Sequence, residues 1–307
     1  MDPRQALDGK AAAIMTVLCL IWGLQQVVLK MAAPDVTPLM LIALRSGAAA
    51  LLVWALMRWR GERIDLALWR PGLVVGTLFG IEFVLVGEGL RFTSAAHMVV
   101  LLYTAPIFVA LGLHWKLPAE RLSRVQWGGI GLAFVGIVVT FAGRGGEAAP
   151  ADWSRVLWGD LLALLAGAAW GATTVAVRLS RLAQAPATLT LLYQLVGGFA
   201  VLIGAAGLLG QWHFNSTPVA WLSLLFQAVV VSFFSYLTWF WLLKRYLASR
   251  LGVFSFLTPL FGMLFGVWLL DEPLEASFVA GTVLVLAGVA VVSGYGWWRQ
   301  RRAGAAR

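Results

Sequence analysis

The run WGLQQVVLKMAAPDVTP at residues 22–38 is answered 148 residues later by WGATTVAVRLSRLAQAP at residues 170–186. Trp22-Gly23, Lys30 and Pro38 thus reappear, at unchanged spacing, as Trp170-Gly171, Arg178 and Pro186. A second set follows: Glu120-x-Leu122, Gly129 and Gly136 recur as Glu272-x-Leu274, Gly281 and Gly288, and Pro106 recurs as Pro259, one residue out of register. Self-similarity over this length marks a duplicated structural unit. The first copy runs over residues 11–142 and the second over 157–296, followed by a basic tail at 297–307.

Around these repeats the chain is apolar. Of its 307 residues 61% are hydrophobic and 12% charged, with a mean hydropathy of +0.85. That is more apolar surface than one soluble core can hide, so lipid must solvate it. A span of about 20 helical residues crosses the hydrocarbon core with its backbone hydrogen bonds satisfied internally. Continuous apolar runs such as Ala11 to Leu29 exclude barrel strands, which alternate apolar and polar. Ten spans are predicted, at 11–29, 36–57, 72–90, 95–115, 125–142, 157–177, 188–209, 221–243, 251–270 and 278–296. The fold class is therefore an all-α membrane protein of ten transmembrane helices in two five-helix repeats. Because five is odd, the second copy enters the membrane in the opposite direction, and the repeat is inverted. The first span recurs in the second half, so it reads as part of the mature fold and not as a cleaved signal.

The net charge of +9 would suggest nucleic acid only if it formed one solvent-facing patch. Instead, with a cytoplasmic N-terminus, 18 of the 23 Lys and Arg residues fall in the inside segments. Positive-inside topology explains them, places both termini in the cytoplasm and gives no nucleic-acid partner. The expected location is a bacterial inner membrane. The lone Cys19 excludes an intrachain disulfide and a cysteine-cluster metal site. His97, His114 and His213 are scattered and gather no metal, and there is neither a Walker A sequence nor an H-E-x-x-H helix. No cofactor and no metal are expected. A membrane-embedded enzyme is the rival class, but no acid, base and nucleophile converge at one depth. A receptor or scaffold that does not translocate its ligand is the other bland reading. Nothing in the sequence calls for a dimer, and a monomer is expected.

Arg45, Ser94-Ala95, Pro106, Glu120-Arg121-Leu122, Gln126, Gly129 and Gly136 together resemble the EamA module of the drug/metabolite transporter superfamily. A second copy lies in Ala248-Ser249, Pro259, Asp271-Glu272-Pro273-Leu274, Gly281 and Gly288. The chain departs from the pattern at Ala119 and Asp271, where the module usually has glycine before its glutamate. The resemblance covers nearly the whole chain. It implies a ten-helix carrier of small metabolites, commonly an exporter of amino acids or of cationic drugs. More narrowly, the chain resembles the YddG aromatic amino-acid exporters. Independently, inverted repeats give a physical route to alternating access, since exchanging the conformations of two similar halves turns an inward-open cavity outward.

Several polar residues are predicted at mid-membrane depth. Glu82, at the centre of the third span, needs a partner or a proton, because a carboxylate there costs about 2.5–3.5 kcal/mol on insertion scales. It reads either as a coupling or ammonium-binding group or as half of a buried structural pair. Arg45 reads as a structural charge, able to pair with Glu82 if their helices meet. Glu88 belongs near the external mouth. Trp22 and Trp170 occupy equivalent mid-span positions, for stacking on substrate or for close helix packing beside Gly23 and Gly171. Trp59, Trp69, Trp153, Trp212, Trp297 and Trp298 fall instead where interfacial belts are expected. Gln25, Gln26, Tyr103, Thr174, Tyr193, Gln194, Ser232, Ser235, Tyr236, Ser255 and Thr258 are the other polar candidates, some for a small-molecule substrate and the rest for linking helices. Pro106 and Pro259 are predicted to kink spans four and nine and to act as hinges.

Overall fold

The computed structural model describes residues 9–116, 121–142, 153–246, 255 and 257–305. Among these, the chain is largely helical, and Val36 and Phe214 form an isolated antiparallel β-bridge. Helix α1 covers Gly9–Met31, α2 Pro38–Trp59, α3 Trp69–Gly89, α4 Ala95–Leu102, α5 Ala105–Lys116 and α6 Arg124–Ala142. The second half contains α7 Trp153–Leu179, α8 Ala187–Leu208, α9 Pro218–Leu225, a π-helical segment Phe226–Ser235, α10 Tyr236–Arg245, α11 Leu257–Leu270 and α12 Ala276–Ala305. Among the described residues, seven spans are long and apolar enough to cross a membrane, three of them combining adjacent elements. Three shorter apolar helices lie at Arg124–Val139, Leu257–Leu270 and Ala276–Val292. Exposed Leu51, Phe134, Val138, Leu222, Leu264 and Val283 give the bundle an apolar exterior, as lipid contact demands. The chain is a multi-pass membrane protein.

Helix starts follow local chemistry. Pro38 and Pro218 open α2 and α9, where the missing N–H has no intrahelical partner to lose. Ser94 caps α4 by accepting the His97 N–H at 3.0 Å. The fourth predicted span is interrupted at Tyr103-Thr104, between α4 and α5. Pro106 cannot donate to the carbonyl one turn back, and its ring crowds that turn, so the helix restarts around it. Gly167 of α7 crosses at this interruption, where a Cβ would lie 2.9 Å from the Leu102 carbonyl oxygen. Pro259 differs from the expectation of a mid-span kink. It is the third residue of α11, where first-turn proline is tolerated, and residues 251–254 and 256 of the predicted span lie outside the described ones. Both prolines thus stand in the first turn of a helix.

Glycines bring the halves together. A Cβ on Gly129 would lie 2.9 Å from the Gly288 oxygen, and one on Gly136 2.7 Å from the Gly281 oxygen. Early α6 therefore meets the middle of α12 and late α6 meets early α12, an antiparallel crossing at backbone contact. The same correspondence holds elsewhere: Gly23 packs on Phe261 and Gly171 on Phe108. Contacts across the two halves dominate the core, with α3 against α7 and α8, α2 against α8, and α1 and α4 against α11.

The ends of the bundle can be told apart. Lys30 at the close of α1, Thr93 before α4, Asp160 early in α7 and Glu272 after α11 share one end. Glu62, Asp65, Thr188 and Tyr193 meet at the other. Helix α1 consequently runs toward the Lys30 end and α7 away from it.

Candidate functional site

A buried polar and aromatic cluster lies about two turns in from the Lys30 end. Arg45 of α2 is only 1% exposed. Its Nη1 donates to Gln227 Oε1 at 2.5 Å, and its guanidinium lies 4.4 Å from the centroid of the Phe83 ring, a favourable cation–π arrangement. Gln227, in the π-helical segment, is itself oriented, because its Nε2 donates to the Gln25 carbonyl at 2.8 Å. Glu82 of α3 and Tyr236 of α10 stand within electrostatic reach of Arg45. Tyr103, at the α4–α5 interruption, is within the same reach of Glu82, Tyr236 and Cys19 and lies beside Thr258 of α11. Its ring meets Trp170 edge-on at 5.2 Å.

Helices from both halves therefore supply this cluster. The ten-residue π-helical stretch carries Gln227, Ser232 and Ser235. Such departures from α geometry are rare and concentrate at functional sites. The Ser232 and Gln26 side-chain oxygens are buried with no hydrogen-bond partner among the described residues, as are Nε and Nη2 of Arg45. An unsatisfied buried polar atom costs about 1–3 kcal/mol, more when charged.

The ion pair open to Arg45 and Glu82 does not form; Arg45 is held instead by the Gln227 amide and the Phe83 ring. Trp22 donates to Ser235 Oγ at 2.9 Å and meets Trp239 edge-on, so it links α1 to the π-helical segment and α10. Gln25 is buried, and its backbone carbonyl is held by Gln227. Ser255 accepts the Thr258 N–H at the start of α11. Tyr193 does not join the cluster. It sits at the far end of the bundle, its hydroxyl donating to the Asp65 carbonyl at 2.9 Å. Glu88 pairs with Arg91 at 2.9 Å and accepts from Gln211. Glu120, Ala119 and Ala248-Ser249 lie outside the described residues, as does the residue equivalent to Tyr103.

A second cluster ties the two halves together at the Lys30 end. Glu272 accepts the backbone N–H groups of Ala95 and Ala96, at 2.7 and 3.0 Å. Its carboxylate thereby satisfies the start of α4, where the helix dipole favours negative charge. Lys30 lies 3.6 Å from the same carboxylate and donates to the Thr93 carbonyl. Fully buried Asp160 accepts from Thr93 and meets His97 Nδ1 at 3.0 Å, while His97 stacks on Phe278 at 4.0 Å. Sequence reasoning passed over Asp160. The available signal was a carboxylate seven residues into an apolar helix, the same signal that drew attention to Glu82. Asp271, where the EamA pattern has glycine, has φ +52°. The turn requires the left-handed conformation that glycine adopts most readily. No group of three metal-ligating side chains is found among the described residues.

Two stretches, residues 9–142 and 157–294, match the EamA-like transporter family. The chain belongs to that family. Relatives of this EamA-like transporter include a probable amino-acid metabolite efflux pump of Salmonella typhimurium, 28% identical over 92% of this chain and 93% of that protein. A probable amino-acid metabolite efflux pump of Escherichia coli is 27% identical over 97% and 98%. Transporter YoaV of Bacillus subtilis, which is uncharacterized, is 25% identical over 88% and 92%. A crystal structure superposes with a TM-score of 0.64 at 22% identity, covering 92% of this chain and 97% of the other. That likeness speaks to the fold alone.

Proposed function

We propose that this EamA-like transporter exports amino acids, aromatic ones among them, across a bacterial inner membrane by alternating access. The observation that carries the reading is the cluster of buried Arg45, Glu82, Tyr103 and Gln227 with half-buried Tyr236, assembled from both halves and surrounded by aromatic rings. Relatives described as probable amino-acid metabolite efflux pumps point the same way. The architecture proposed is ten spans in two inverted five-helix repeats, 11–142 and 157–296. The opposite directions of α1 and α7 and the crossed glycine pairs of α6 and α12 support it. The concentration of Arg and Lys at the end opposite Lys30 favours a cytoplasmic location for that end and for both termini. The partners are then the bilayer and a small-molecule substrate, with the chain working as a monomer, without nucleic acid and not as an enzyme.

In this mechanism the Lys30 end faces outward and is the outer gate. Glu272, Lys30, Asp160 and His97 hold the halves together there, so the central cluster is shut from that side. Opening parts these contacts while the opposite end closes. The interruption at Tyr103-Thr104 and the first-turn prolines Pro106 and Pro259 give the flanking helices places to pivot. Glu82 receives the substrate ammonium or a coupling proton. Counterflow of labelled amino acids in proteoliposomes, with and without a pH gradient, tests the proposal. Saturable exchange supports it, and absence of exchange across the amino acids refutes it. If Glu82→Gln transports normally with unchanged pH dependence, Glu82 is not the coupling site.

A further inference from the structure

We propose that Arg45 is the receptor for the carboxylate of the transported molecule, which makes the substrate class an α-amino acid and excludes simple amines. The inference rests on the transport reading above and assigns the polarity of its site. Arg45 has three groups able to donate, and they divide cleanly. Nη1 is engaged by Gln227 Oε1. The orientation of that amide is fixed from the other side, because its Nε2 donates to the Gln25 carbonyl. Nε and Nη2 are buried and have no hydrogen-bond partner among the described residues.

Those two groups form one edge of the planar guanidinium, with parallel N–H directions, the geometry that receives a carboxylate through two hydrogen bonds. The residue is 1% exposed, so bulk water does not replace the missing partner. A purely structural arginine buried this deeply would be paired. Here the partners of Arg45 are the Gln227 amide and the Phe83 ring face, and no carboxylate among the described residues forms an ion pair with it.

The chemistry of the neighbours narrows the ligand. A cation without a carboxylate could face Glu82, but would leave the Arg45 edge without a hydrogen-bond partner and add a like charge beside it. A dianion such as a phosphate ester would satisfy Arg45 but carry a net negative charge into the low-dielectric interior. A zwitterion places its carboxylate on Arg45 and its ammonium toward Glu82, with no net charge brought into the low-dielectric interior. Tyr103, Trp170 and Phe83 supply aromatic surface around the same groups.

The test uses the full-length protein in proteoliposomes and labelled phenylalanine, leucine and threonine, each compared with its methyl ester and its decarboxylated amine. The expected result is exchange of the amino acids, with ester and amine at least tenfold slower. Esters or amines moving as fast as the parent amino acids would overturn the Arg45 assignment while leaving transport intact. If no compound in the panel moves, the transport reading fails and takes this one with it. Arg45→Lys keeps the charge and loses the two-donor edge. Its expected signature is an unliganded Tm near that of the wild type and loss of the Tm rise produced by 10 mM phenylalanine, about the concentration range suited to weak sites. A retained ligand-induced rise in folded Arg45→Lys would overturn the proposal. Should that variant not fold, the comparison of acid, ester and amine on the wild type decides.

Discussion

Replacing Glu272 with glutamine perturbs the contact that joins the end of α11 to the start of α4. The wild-type carboxylate accepts the Ala95 and Ala96 N–H groups at 2.7 and 3.0 Å, lies 3.6 Å from Lys30 and is 8% exposed. Glutamine keeps the shape and one acceptor oxygen. Its NH2 group, however, faces one of the two N–H donors, and the negative charge at the helix start is gone. A hydrogen bond to a charged group contributes about 1.5–3 kcal/mol, and a charge at a helix terminus about 0.3–1 kcal/mol. Together they predict a loss of about 2–4 kcal/mol from the closed contact. At 1.4 kcal/mol per factor of ten, the opened population rises roughly 30- to 700-fold. Amide hydrogen exchange reads this directly. The Ala95 and Ala96 amides should lose protection by that factor in Glu272→Gln, while Leu41 and Ile42 in α2 exchange as before. Unchanged protection at Ala95 and Ala96 would refute the reasoning, because the carboxylate would then not be what holds α4 in place.

Other substitutions probe the packing and the site. Gly136→Ala drives a methyl group to 2.6 Å from the Val285 nitrogen and 2.7 Å from the Gly281 oxygen, so detergent-solubilised protein should lose about 1–3 kcal/mol of stability, read as a lowered Tm. Gly131→Ala, with nothing within 4 Å of the added carbon, should be neutral or raise Tm slightly through helix propensity. Asp271→Gly removes a side chain from a residue at φ +52° and should stabilise by up to about 1 kcal/mol, whereas Asp271→Ala should not. Pro106→Ala and Pro259→Ala, made together, should slow transport if the helix restarts serve as pivots; an unchanged rate removes that role.

The helices were legible because long apolar runs leave lipid-solvated backbone few options. The predicted span 36–57 became Pro38–Trp59, and 188–209 became Ala187–Leu208. The spacing of glycines in the repeats likewise anticipated where backbone would meet backbone. What stayed hidden depended on contacts between helices. Nothing in FQAVVVSFFS distinguishes a π-helical segment from an α-helix, since it contains neither glycine nor proline. Pro106 signalled a break, but the interruption falls before it because the ring crowds the preceding turn. Depth counted along a span grouped Tyr193 with the central residues, yet its long side chain reaches back to Asp65 at the bundle end. Arg45 read as a structural charge for the same reason: sequence places a charge in a span but not the amide of Gln227, 182 residues away, that occupies one of its donors.

The most direct test of alternating access is a pair of spin-label distances measured in the same lipid preparation. One pair, at Lys30-end positions Phe92 and Glu275, reports the gate held by Glu272; the other, at Arg63 and Arg181, reports the opposite end. On adding amino acid or changing pH, the account predicts that one distance lengthens as the other shortens. Two distances that stay fixed, or that lengthen together, would contradict it.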